Sequence, residues 1–145
     1  MFSAEDLCEL LLSEQDVPSG LAPEGTEDEA NRCLTGFRAG DGLPSVTSAA
    51  YLFANAEEAR AAAESLRDGD AEFVTDAEKV DVPVGEGGFG LFRQHTASAP
   101  FAVVIYFWPV GNVVLEVAYN SDEKVDQRDV LALAETMQAN AEELS

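Results

Sequence analysis

The sequence predicts an α+β fold: an antiparallel sheet of about five to six strands with helices packed against it. Three observations carry that prediction. The stretch 101–119, FAVVIYFWPVGNVVLEVAY, reads as a β-hairpin and is the most apolar region of the chain. Helix-start signals, a Ser, Thr, Asn or Asp with an acid three residues on, recur at Ser3, Thr26, Asn55 and Asp126. Between the third and fourth of these, strand-like segments follow one another without helices, which indicates hairpin connections rather than crossovers.

Taken in order, Ser3 starts a helix with Asp6 at its third position, and Leu7, Leu10 and Leu11 form its apolar stripe. Asp16-Val17-Pro18-Ser19-Gly20 breaks the pattern, and 21–25 reads as loop. Thr26 and Glu29 then bound the start of a second helix. Ala30, Cys33, Leu34 and Phe37 are spaced to share one face of it, and Gly40-Asp41-Gly42 with Pro44 stops it. Residues 45–54 alternate as a first strand. Asn55 caps a third helix over 56–67, with Glu58 completing the box and Gly69 after its end. Ala59, Ala62, Ala63 and Leu66 give it a small-sided stripe that permits close approach to a sheet. Short β segments are expected at 71–76, 78–84 and 91–96. The hairpin follows, with strands over 101–108 and 112–119 and a Pro109-Val110-Gly111 turn. Its first strand is apolar on both faces, so it is central and covered on both sides. Asp126 caps the last helix, whose buried stripe is Val130, Leu133, Ala134, Met137 and Ala141. The expected organisation is a single domain over 1–145, with a helical N-terminal region over 1–40 and the sheet with its helices over 45–145.

The apolar run 101–119 approaches the roughly 20 residues of a membrane span. Pro109, Gly111, Asn112 and Glu116 interrupt it, and no basic flanks anchor it. Direct membrane insertion of this segment is therefore not expected. The chain carries 8 Lys+Arg against 28 Asp+Glu, a net charge of −20. Such a polyanion repels phosphate backbones and anionic lipid surfaces, which sets nucleic-acid binding aside. Arg32, Arg38, Arg60 and Arg67 fall on expected helices as solvated face residues. Three origins would account for the acidity: a halophile's surface, an exported domain, or cation binding. The third lacks an EF-hand: neither 68–72 nor 120–126 has the ligand spacing with its Gly and distal Glu. No basic n-region or apolar h-region follows Met1, so the expectation is either a cytoplasmic protein or a mature domain without its leader.

No catalytic or cofactor motif stands up. GEGGFG at 85–90 matches G-x-G-x-x-G, but β-like LFRQHT follows where a dinucleotide site needs a helix N-terminus. It reads as a glycine-rich turn. Two cysteines and one histidine cannot supply the usual four zinc ligands. His95, the sole histidine, reads as a surface residue near a strand end rather than a general base. Cys8 and Cys33 lie on apolar faces of the first two expected helices. A disulfide between them would staple the N-terminal region and imply an oxidising compartment; the alternative is two buried free thiols. Tyr51, Phe53, Phe89, Tyr106 and Trp108 are the aromatic candidates for a ligand groove, with core packing as the competing role.

Several stretches together carry a resemblance: LLLSEQDVPSG near the start, AYLFANAEEARAAAESL as strand-to-helix, VDVPVGE before the later strands, and VVIYFWPVGNVVLEVAY followed by DVLALAETMQ. In layout the chain resembles actinobacterial-type extracytoplasmic domains, including lipoproteins and ectodomains of receptor kinases, with a Mog1/PsbP-like α/β sandwich. The resemblance implies a sensor or ligand-binding module, in a class where disulfides are common. The expected function is accordingly a non-enzymatic extracytoplasmic binding or sensor domain. It would need no cofactor or metal, and its ligand would be a small molecule, peptide or cell-envelope component. The alternative is an accessory protein-protein interaction domain, cytoplasmic if the acidity is that of a halophile.

Overall fold

The fold is that of a computed structural model, which describes residues 1–40, 42–69, 77–97 and 100–145. Among these, seven strands form one antiparallel sheet in the order β1-β2-β3-β7-β6-β5-β4. The strands are β1 (Leu21–Glu29), β2 (Arg32–Ala39), β3 (Ser45–Leu52), β4 (Glu78–Val80), β5 (Phe89–Arg93), β6 (Ala102–Val110) and β7 (Val113–Ser121). A 3-10 helix spans Ala4–Leu10, and two α-helices, α1 (Ala56–Asp68) and α2 (Gln127–Leu144), complete the set. The topology is two meanders. β1-β2-β3 form one, and β4-β5-β6-β7 the other; α1 carries the chain between them, and β7 returns to pair with β3.

The expected second helix is a β-hairpin. Residues 26–37 lie in β1 and β2, joined through Ala30-Asn31, so the N-terminal region expected to be helical is a 3-10 helix plus two strands of the common sheet. The same residues fit both periods. Cys33 and Phe37 are four apart on a helix, but they are also both even steps along a strand. In the structure they point with Thr35 into the larger core, while Leu34 shares the opposite face with Gly36. Strand pairing decides the outcome: Arg32–Arg38 pair residue by residue with β3, and Thr35 and Gly36 are poor helix formers. Arg32 and Arg38 are therefore strand residues, bridged to Glu27, Glu29 and Glu24 of β1.

Other boundaries shift less. The central hairpin is as expected, but its turn is Gly111-Asn112, and Pro109 lies within β6 opposite Val114. This is beyond the last β5 pairing at Phe89–Phe107, on an open stretch of edge where proline is tolerated. Gly111 has a φ of 55°. Asn112 is buried and knots the hairpin tip to the N-terminus. Its Oδ1 accepts from the Phe2 N–H at 2.8 Å, and its Nδ2 donates to the Phe2 and Phe53 carbonyls at 2.9 and 3.1 Å. The expected strand at 78–84 is limited to β4, and the one at 91–96 begins two residues earlier as β5. The β segment expected at 71–76 lies outside the described residues.

The caps behave as their residue types require. Asp6 accepts from the Ser3 N–H at 2.8 Å, Asn55 from the Glu58 N–H at 2.9 Å, and Asp126 from the Arg128 N–H at 2.9 Å. Each face of the sheet is built differently. On one, Val46, Ala50, Val104, Trp108, Leu115 and Val117 pack under α2 and the 3-10 helix. On the other, α1 lies over β6 and β7. Ala59 and Ala63 are fully buried there against Phe89, Leu91, Phe107 and Val114. Because α1 presents alanines, it lies close to the sheet at its middle, and its Leu66 end borders the groove described next.

Candidate functional site

A groove of about 390 Å³ runs between α1 and the sheet. Ala62 and Leu66 line it from the helix, Tyr51 and Phe53 from β3 and its exit, and Ile105, Phe107, Val114 and Glu116 from β6 and β7. Among the described residues the wall is apolar except for one carboxylate and one phenol. Such a surface with few convergent polar groups is the usual form of a small-molecule site.

Glu116 is the unusual residue. β7 is the middle strand of the seven, and Glu116 is in the middle of β7. Its cross-strand partners are Ala49 of β3 and Phe107 of β6. Tyr51 is its diagonal neighbour, close enough for long side chains to meet. The Tyr51 hydroxyl donates to Glu116 Oε1 at 2.6 Å. Burial pushes the Glu116 carboxyl above the usual carboxylate range, and the Tyr51 hydrogen bond partly offsets that. Burial, and then the Glu116 charge, raise the Tyr51 phenol. No cation is bridged to Glu116 among the described residues.

A second recess of about 380 Å³ adjoins the groove and shares Tyr51 and Phe53 with it. Glu29, Asn31 and Arg32 form its polar side. Arg32 Nη2 is held by Glu27 at 3.2 Å and Glu29 at 3.3 Å, so its charge is neutralised within the β1–β2 hairpin. A separate cavity of about 340 Å³ lies between 16–18, Tyr119, the loop at 124–126 and the start of α2. It is bounded mainly by loop residues, and among the described residues it has no buried charge comparable to Glu116.

The five aromatic candidates separate onto the two faces. Tyr51 and Phe53 line the groove. Phe89 lies in the core below α1, its ring stacked on Phe107 at 5.2 Å between centroids. Tyr106 and Trp108 belong to the opposite face: the Trp108 indole N–H donates to Gln138 Oε1 of α2 at 2.9 Å, and the Tyr106 hydroxyl donates to the Gln127 carbonyl at 3.4 Å. Alternation along 101–108 separates Tyr106 and Trp108 from Ile105 and Phe107 before any contact is known. Glu116, the one charged residue of β7, is the signal that could have found the site.

Cys8 and Cys33 form a disulfide, with 5.3 Å between their Cα atoms, tying the 3-10 helix to β2. A carboxylate oxygen of Asp28 lies within 4.8 Å of both sulfurs, but the sulfurs are bonded to each other and offer no thiolate. The GEGGFG segment is a turn into β5. Gly85 and Gly87 have φ of 66° and 76°, and a Cβ at Gly88 would meet Trp108 Cβ at 2.7 Å. His95 is half-buried just after β5, its N–H donating to the Gln94 side chain. Among the described residues no helix is long and apolar enough to cross a membrane.

No protein-family model matches the chain, and no curated protein matches it. Among solved structures, the extracellular domain of PknH from Mycobacterium tuberculosis superimposes with a TM-score of 0.72 over 97% of both chains, at 14% sequence identity. A Bacteroides thetaiotaomicron structure matches 81% of this chain and 41% of its own, with a TM-score of 0.47 and 13% identity. The chain is therefore similar in fold, end to end, to the extracellular domain of PknH.

Proposed function

We propose that this chain is a non-enzymatic, extracytoplasmic sensor-type domain that binds a small amphipathic molecule in the groove beside α1. The observation that carries the reading is the groove itself: an apolar, aromatic-lined cleft over the middle of the sheet with, among the described residues, one carboxylate in it. Its volume suits a small molecule rather than a folded partner. The Cys8–Cys33 bridge supports an oxidising compartment. Likeness in fold to the extracellular domain of PknH supports the same location, and we read the fold as a Mog1/PsbP-like sandwich of the lipoprotein and receptor-ectodomain kind. The interaction-domain alternative would call for a contiguous exposed apolar patch. Among the described residues the exposed large apolar side chains are Met1, Phe101 and Leu144, at the chain ends and just before β6.

Native mass spectrometry of the chain purified from its own host tests this reading. A non-covalent small-molecule adduct is expected on the wild type and is lost in Ala62→Trp, which fills the groove from the helix side. Bare polypeptide in both, or an adduct retained by the filled variant, would overturn it.

A further inference from the structure

We propose that the groove selects an organic cation, a protonated or quaternary amine on a short apolar body. Glu116 is its counter-ion, and Tyr51, Phe53 and Phe107 are the faces that receive the ammonium group. The inference rests on the groove being the ligand site and adds its chemical class.

The argument begins with position. A glutamate on the middle strand of a sheet, between Ala49 and Phe107, is desolvated, and among the described residues no salt bridge joins it to a cation. Burying a carboxylate this way costs free energy unless something compensates it. Tyr51 supplies one hydrogen bond and orients one oxygen. A carboxylate has roughly four acceptor positions, so most of its capacity remains directed at whatever occupies the groove. Local breaks in an otherwise apolar pattern are expected where a site is built.

The aromatic lining points the same way. Three aromatic side chains and a carboxylate around one cleft is the arrangement that attracts ammonium groups, because the ring faces carry negative potential and cations of this type are weakly hydrated. Ala62, Leu66, Ile105 and Val114 provide apolar wall for the attached body. An anionic ligand is disfavoured by the same residues. The guanidinium of the adjoining recess, Arg32, has an Nε–H without a partner, yet Glu27 and Glu29 hold its other end. The chain's net charge of −20 raises the local concentration of cations and lowers that of anions.

Isothermal titration of the full oxidised chain with octyltrimethylammonium, 1-octanol and octanoate at low ionic strength tests the assignment. The three probes share the tail and differ in the head. The cation is expected to bind about tenfold or more tightly than the alcohol, and octanoate weakest. Glu116→Gln keeps an acceptor for Tyr51 and should bring the cation down to the alcohol's affinity. Phe53→Leu keeps the wall apolar and should weaken the cation severalfold more than it weakens the alcohol. Equal or tighter binding of octanol or octanoate, or full cation affinity in the glutamine variant, overturns the cation assignment and leaves the groove reading intact. Failure of all three probes overturns both.

Discussion

Removing the Cys8–Cys33 bridge should cost this domain about 3.5 kcal/mol, from the chain-entropy cost of a loop closed over a sequence separation of 25. The bridge acts where other restraints are sparse. The 3-10 helix is held by Leu7 and Leu10 in the core, and β1 is an edge strand whose pattern is exposed after Leu21. Without the cross-link, everything from residue 8 to 33 is free to expand in the unfolded chain. For a chain of this length the loss corresponds to a fall in Tm of about 10 °C. Cys8→Ala/Cys33→Ala is the appropriate variant, because Cys33 is fully buried and serine would bury a hydroxyl. Urea unfolding followed by Trp108, the single tryptophan and fully buried, reads the change. The m-value should rise as the unfolded state exposes more surface. Reduced wild type serves as the control that removes the bond but not the sulfurs, and it should track the double alanine. A loss below about 1 kcal/mol in both, with native spectra, would refute the reasoning that the bridge acts by restraining the unfolded chain.

Glu116→Gln should stabilise the free protein at pH 8. The folded carboxyl has its pKa raised, so wild type loses stability as pH rises from the ordinary carboxylate value through the raised one. The Tm gap between variant and wild type should close as pH falls below about 4, where the carboxyl becomes protonated in both states; a constant gap, or a less stable variant at pH 8, would contradict this. Gly90→Ala should destabilise by about 1–3 kcal/mol in chemical denaturation, since the new Cβ would fall 2.5 Å from Tyr106 Cδ1 and 2.9 Å from Val80 Cγ2. Gly42, whose Cβ would meet nothing within 4 Å, is the control position for alanine substitution and should be near neutral. Asn112→Ala leaves the Phe2 N–H and two carbonyls without their partner and should cost about 2–4 kcal/mol. Hydrogen exchange should show its largest increase at residues 1–3 and 53.

The sequence was legible where local chemistry and tertiary context agree. The 101–119 hairpin, α1 with its Asn55–Glu58 box, and the α2 stripe all combine a strong local pattern with the same burial in the fold. The 26–37 segment was not legible, because Thr26 and Glu29 imitate a capping box and Cys33 and Phe37 satisfy both periods. Only the ladders with β1 and β3 separate the two readings, and those partners lie across the fold. The cysteine pair was legible as a pair, although Cys33 reaches its partner from a strand rather than a helix. Aromatic residues by themselves did not locate the groove: Trp108 and Tyr106 are drawn to the α2 face by strand alternation. The pairing of Tyr51 with Glu116 depends on β3 adding beside β7, a contact 65 residues apart in the chain.

The most direct test of the ligand-site account is amide chemical-shift mapping of the full chain titrated with octyltrimethylammonium. The account predicts saturable shifts confined to the groove, at Tyr51, Phe53, Ala62, Leu66, Ile105, Phe107 and Glu116. Trp108 and Met137 on the opposite face should stay unmoved. Shifts centred instead on Tyr119, Val125 and Leu133, or spread evenly over the acidic surface, would contradict it.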